Sequence, residues 1–162
     1  MLYGVDVAGD ERYDFRIRDL AGLETGEPVS ELPEQFTGIG SACFTPDGQW
    51  VFWVELDDSW RPLAVWRHRV GTAVESDVCV YREPMNGSGG RGISFDERNI
   101  VIGTGSKTTT EVLMLPVATP EGEFQAFIPR QNDIEYDVSF ACFEGAGENR
   151  CGCATRRGLS QR

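Results

Sequence analysis

Histidine is almost missing from this chain, with one residue, His68, among 162. A lone histidine excludes a multi-histidine metal centre and leaves any imidazole-based acid–base chemistry a single candidate. Long apolar runs are missing too. No stretch approaches the roughly 20 apolar residues that span a bilayer. The N-terminal MLYGVDVAGDERYDF has acids where a secretory signal needs an apolar core. The expected address is therefore the cytoplasm. Five cysteines, an odd number without regular spacing, do not make a disulfide framework and fit reduced thiols. The strand-to-helix elbow Gly-x-Ser-x-Gly, which exposes a nucleophilic serine, is also lacking. Its nearest approach, Gly158-Leu159-Ser160, has no closing glycine.

What is present begins with acid. Residues 150–162, RCGCATRRGLSQR, hold four arginines and no acid, so residues 1–149 carry 11 basic against 26 acidic side chains, a net charge of −15. An acidic body of this kind repels nucleic acid and anionic lipid, and neither is expected as a partner. The basic end has neither strand alternation nor a helical stripe. It reads as a separate tail, disordered or out of frame with what precedes it, as a shifted or truncated gene would give.

The rest of the chain reads as short strands and tight turns. QWVFWVE (49–55) is aromatic and β-branched, and PDG just before it suits a turn. PLAVWRHRV (62–70) and DVCVYRE (77–83) alternate apolar with polar residues. GISFDERNIVIG (92–103), TEVLMLPV (110–117) and FQAFIPR (124–130) repeat the order, and YDFRIRDL (13–20) with GEPVSEL (26–32) supply two strands before it. No convincing helix is expected anywhere. SACFTPDGQW (41–50) is echoed by FACFEGAGEN (140–149), and Phe44, Phe95 and Phe143 each close a first strand, 51 and 48 residues apart. A period near 50 with four strands per repeat is the signature of a β-propeller blade. The expected fold is all-β: an incomplete β-propeller of four-stranded antiparallel blades, about two whole and one partial at each end. Such a chain cannot close, and its open edges invite self-association.

ERYDFRIRDL, TPDGQWVFWVELDDSWRPLAVWRHRVGT, SDVCVYRE and TTTEVLML carry a family resemblance. In particular Asp57, Arg61, Pro62, Arg67, His68, Gly71, Thr72, Asp77, Val80, Tyr81 and Glu83 stand in order and at matching spacing. Over residues 4–149 the sequence resembles the N-terminal propeller of the prolyl oligopeptidase family of serine peptidases, and within it the oligopeptidase B branch. That resemblance implies a propeller capping an α/β-hydrolase domain, peptide substrates cut after Arg or Lys, and exclusion of folded proteins by the propeller. It also implies that the serine, histidine and aspartate of catalysis belong to the hydrolase part, so this chain alone is expected to be inactive.

No residue is therefore assigned a catalytic, cofactor-binding or metal-binding role, and no cofactor is expected. His68 falls on a predicted strand between Arg67 and Arg69, a poor setting for a proton carrier, and is expected to be a framework residue. Gly87-Ser-Gly89-Gly-Arg-Gly92 satisfies G-x-G-x-x-G in letters, but a loop is expected before it and a strand after it, where a dinucleotide site needs strand, turn and helix. GTGSKT (103–108) mimics a phosphate loop, yet Ser106 and Val101 occupy the glycine positions, and a hairpin turn is expected. Cys151 and Cys153 make at most half a zinc site, while Cys43, Cys79 and Cys142 are expected as buried, inert thiols. Glu55, Asp57 and Asp58 would suit calcium or solvent, and solvent is the expectation. PMNGSGGRG (84–92) departs from the acidic and aromatic stretch usual in the family.

Overall fold

A computed structural model describes residues 1–82, 88–93, 97–145 and 148–159; at 38, 39, 88–93 and 141–159 the description is of the backbone. Phe95, Glu83 and Ser160 lie outside the described residues. The chain divides into two compact units, Met1–Arg82 and Glu83–Arg162.

In the first unit six strands form one antiparallel meander, each paired with the next in sequence. They are β1 (Leu2–Val5), β2 (Tyr13–Asp19), β3 (Ser30–Phe44), β4 (Trp50–Leu56), β5 (Pro62–Arg69) and β6 (Val78–Arg82). The sequence explains β4 directly. Aromatic and β-branched residues fit a pleated, packed surface, and Val51, Phe52 and Val54 are all essentially inaccessible. Adjacent residues point to opposite faces, so β4 is buried on both. The turn before it is the expected one. Gly48 takes a left-handed φ of 69°, the Asp47 side chain accepts from the Gln49 amide at 3.0 Å, and Thr45 donates its amide to the Trp50 carbonyl at 2.9 Å.

β3 differs from expectation. Ser30–Leu32, the end of GEPVSEL, and the strand ending at Phe44 are not two strands of two blades but parts of one 15-residue strand. Its first part pairs with β2 and its second with β4, with register shifts on both sides. Bulges bend a strand without ending it, which lets one strand serve two neighbours over different spans. Ile17, Phe36 and Val51, from three successive strands, form the buried centre of this sheet, with Leu32, Phe44 and Trp53 packed against it. Burying each such side chain is worth roughly 1.5–3 kcal/mol.

The second unit holds a four-stranded antiparallel sheet in the order β10-β9-β8-β7 and a separate two-stranded one. The first comprises β7 (Ser88–Ile93), β8 (Asn99–Gly105), β9 (Thr110–Pro116) and β10 (Gln125–Ala126). The second pairs β11 (Ile134–Gly145) with β12 (Glu148–Leu159). Phe44 is the last residue of β3, whereas β11 runs two residues past Phe143. The segment read from sequence as a tail from residue 150 makes up most of β12. Its pairing with β11 runs through backbone hydrogen bonds, which need no side-chain alternation. Tyr136 ties β11 to the larger sheet: its hydroxyl accepts from the Val112 amide at 2.7 Å and donates to the Ile128 carbonyl at 3.1 Å. A single 3₁₀ turn, Val74–Ser76, is the helical element of the described residues. None of them forms a helix long and apolar enough to cross a membrane.

Candidate functional site

His68 is the natural starting point. On β5 it stands directly opposite Val51 of β4, while Arg67 and Arg69 project from the other face. The arginines therefore do not flank the ring, contrary to the sequence reading. Their guanidinium carbons lie 5.4 and 5.7 Å from the Trp50 ring centre. What surrounds His68 is acidic and aromatic. Its Nδ1 is 2.6 Å from Asp77 Oδ1, its Nε2 is 3.7 Å from Glu34 Oε1, and Phe36 meets it edge-on at 5.0 Å. The imidazole is wholly buried.

The cluster extends on both sides. Asp77 Oδ2 accepts from Trp53 Nε1 at 2.7 Å, and Trp53 stacks on Trp66, its cross-strand partner, at 5.6 Å and 11°. Glu34 Oε1 accepts from the Gly71 amide at 2.5 Å. Gly71 itself has a φ of 88°, a backbone state that glycine adopts without a steric penalty. The result joins β3, β4, β5 and the approach to β6 through side chains that sequence separates by up to 43 positions.

A histidine oriented by an aspartate is half of a general-base arrangement. Here it has no access. The ring has no exposed surface, and its Nε2 has no hydrogen-bond partner, nor does Glu34 Oε2. The arrangement can hold strands together; it cannot reach a substrate.

Sequence reasoning singled out His68 but missed Glu34. The signal was available: in LPEQF, Leu32, Glu34 and Phe36 alternate onto one face, so a carboxylate beside two core residues must be buried.

The other candidates resolve as follows. Glu55 accepts from Trp66 Nε1 at 2.9 Å and pairs with Arg82 at 3.5 Å. Asp57 caps its own loop, accepting the Ser59 and Arg61 amides at 2.8 and 2.9 Å and pairing with the Arg61 guanidinium at 2.8 Å. These bonds hold its carboxyl below the usual aspartate range, the Arg61 amide being the largest cause. Both acids thus bind protein donors rather than bare solvent. Among the described residues no group of three or more potential ligands could hold a metal. Ser88–Gly92 of the G-x-G-x-x-G match lies within strand β7 rather than before a strand, and no helix follows it among the described residues. GTGSKT is the β8–β9 hairpin as expected, with Gly105 opposite Thr110 and the Ser106 amide 2.8 Å from the Thr109 carbonyl. Neither Cys43 nor Cys79 is in a disulfide; Cys43 is half-buried rather than buried, and Cys79 is exposed because it sits on the sheet-end strand β6. The side chains of Cys142, Cys151 and Cys153 lie outside the described residues.

Comparison with known proteins gives a consistent answer. The family profile for the prolyl oligopeptidase N-terminal beta-propeller domain matches residues 1–142. Protease 2 of Moraxella lacunata is 33% identical over 132 residues, which is 80% of this chain and 19% of that protein. Dipeptidyl aminopeptidase BI of Pseudoxanthomonas mexicana is 31% identical over 141 residues, 85% of this chain and 18% of that protein. The chain thus spans about a fifth of the length of these curated relatives. Among solved structures, oligopeptidase B from Leishmania major superposes with a TM-score of 0.73 at 27% identity, covering 85% of this chain and 19% of that one. Oligopeptidase B from Trypanosoma brucei shares the fold at a TM-score of 0.72 and 24% identity, covering 96% and 22%. The profile match over residues 1–142 shows that the chain belongs to the prolyl oligopeptidase family, as part of its N-terminal β-propeller domain.

Proposed function

We propose that this chain is the non-catalytic, substrate-gating portion of an oligopeptidase B-like serine endopeptidase of the cytoplasm. Its partner would be an α/β-hydrolase domain that carries the nucleophile and cuts short peptides after Arg or Lys. The match of residues 1–142 to the propeller domain carries this reading. The sealed His68–Asp77 pair, which cannot contact a substrate, supports the non-catalytic part. Two measurements test it. The purified chain should not turn over a fluorogenic arginine peptide; turnover blocked by a serine-reactive fluorophosphonate would overturn the non-catalytic assignment. A chimera carrying residues 1–142 in place of the matching part of an oligopeptidase B should cleave short peptides and spare folded proteins. Equal attack on both would remove the gating role.

A second reading is a self-associating module. It is favoured by the sheet of the first unit, whose outer strands β1 and β6 each pair with one neighbour among the described residues, since a strand paired on one side can pair with another chain. Light scattering after size exclusion should then show a discrete dimer or trimer, and a monomer would reject it.

A further inference from the structure

β11 and β12 pair without a shift in register, from Ile134 opposite Leu159 to Gly145 opposite Glu148. Within that ladder Cys142 stands directly opposite Cys151. Directly opposed residues of an antiparallel pair have Cα atoms about 4.5 or 5.5 Å apart, depending on whether the pair is hydrogen-bonded. Either separation lies inside the roughly 4.4–6.8 Å that a disulfide spans. Cys153 shares the face of Cys151, since residues two apart in a strand do. Its register partner is Phe140, which makes it diagonal to Cys142, at about 7–8 Å. That is beyond disulfide reach. Cys151 and Cys153, two residues apart along one strand, are about 6.6–6.8 Å from each other, at the limit of that reach. The register thus singles out one of the three pairings.

The sheet that carries this pair makes a link consequential. β11 and β12 form a two-stranded sheet of their own, an arrangement that is at most marginally stable by itself. β11 is tied to β9 through the Tyr136 hydroxyl, whereas β12 pairs with β11 alone among the described residues. We propose that Cys142 and Cys151 form a reversible disulfide that fastens β12 to β11, with a small-molecule disulfide, oxidised glutathione, as the oxidant. One cysteine thiolate attacks a sulfur of the oxidant, giving a mixed disulfide and releasing one glutathione thiolate; the other cysteine thiolate attacks the protein-bound sulfur and releases the second. The protein dithiol loses two electrons and two protons, and the oxidant gains both to become two thiols. The new bond closes the chain from 142 to 151 into a ring and so restricts the open ribbon. Transient, redox-sensing bridges are the form that disulfides take in reducing compartments. The proposal rests on the register of β11 and β12 and not on the peptidase reading.

The test uses the full chain, equilibrated in glutathione buffers of graded oxidised-to-reduced ratio, alkylated at its remaining thiols and digested with trypsin without reduction. Cleavage after Arg150 parts the two cysteines, so a bridge joins peptide 131–150 to peptide 151–156. We expect that joined species in mass spectrometry, with Cys153 alkylated. Cys153→Ser should keep it, and Cys142→Ser and Cys151→Ser should abolish it. Oxidation should also slow amide hydrogen exchange at Ala154 and Thr155 of β12 by about tenfold or more, and leave it unchanged in Cys151→Ser. Should a serine variant fail to fold by circular dichroism, fragmentation of the joined wild-type peptides assigns the bridge by itself. Three results would overturn the pairing: a bridge between Cys151 and Cys153, a joined species that links isotopically heavy and light chains after mixing, or complete alkylation of Cys142 and Cys151 in the most oxidising buffer. Exchange that does not slow in the bridged wild type would overturn the fastening of β12.

Discussion

His68 Nδ1 and Asp77 Oδ1 meet at 2.6 Å in a fully buried setting, nine residues apart along the chain but across the turn that links two strands. Asp77 also holds the Trp53 indole N–H, so one carboxylate satisfies two buried groups from two other strands. Asp77→Ala would strand both donors. Buried unsatisfied groups cost about 1–3 kcal/mol each, so a loss of about 3 kcal/mol is expected in urea denaturation followed by tryptophan fluorescence. A loss below about 1 kcal/mol would show that the cluster is not a structural clasp.

Gly105 tests the hairpin. A Cβ built there would stand 2.1 Å from the Thr109 carbonyl oxygen, a backbone atom that cannot move without opening the Ser106–Thr109 turn. Gly105→Ala should cost about 2 kcal/mol, in the range seen for forced backbone shifts. Denaturation midpoints against the neighbouring Ser106→Ala, expected near neutral, check this.

Tyr136→Phe removes the hydroxyl that serves the Val112 amide and the Ile128 carbonyl. The ring stays, so packing is kept and the amide loses its acceptor. About 1–2 kcal/mol should be lost, and amide exchange at Val112 should quicken; unchanged exchange would mean water replaces the hydroxyl.

Asp57 gives a pH dependence with a definite sign. Its folded carboxyl sits below the ordinary 3.8, chiefly because the ionised form accepts the Arg61 amide. A lowered folded value means stability that is fully present above pH 3.8 and lost as pH falls through the folded value. Asp57→Asn should remove that segment of the acid-unfolding curve. Parallel acid limbs for the two proteins would contradict it.

Much of the fold was legible in the sequence because strands here are written in period two. QWVFWVE, PLAVWRHRV and TEVLMLPV fall on β4, β5 and β9 within a residue or two. The 15-residue β3 was not legible, since Pro33, Gly38 and Gly40 punctuate it like a loop. Its continuity comes from pairing with β2 and β4, which local pattern does not encode. β1 was missed because four residues are too few to show alternation. For the site, His68 was found by its rarity and Asp77 by the family spacing. The setting of His68 was misread because chain neighbours in a strand face away from each other. Asp77 and Glu34 reach the ring through folding, not through adjacency.

The shared strand β3 bears on how such a repeat could be rearranged. A recombination point between β6 and β7 would pass between two sheets and carry each away whole. One placed within residues 30–44 would cut a strand that serves β2 with one half and β4 with the other, leaving two half-sheets with raw edges. The unit that evolution or an engineer can duplicate, swap or delete is therefore not the fifty-residue period visible in the letters. It is a block that keeps β2, β3 and β4 together.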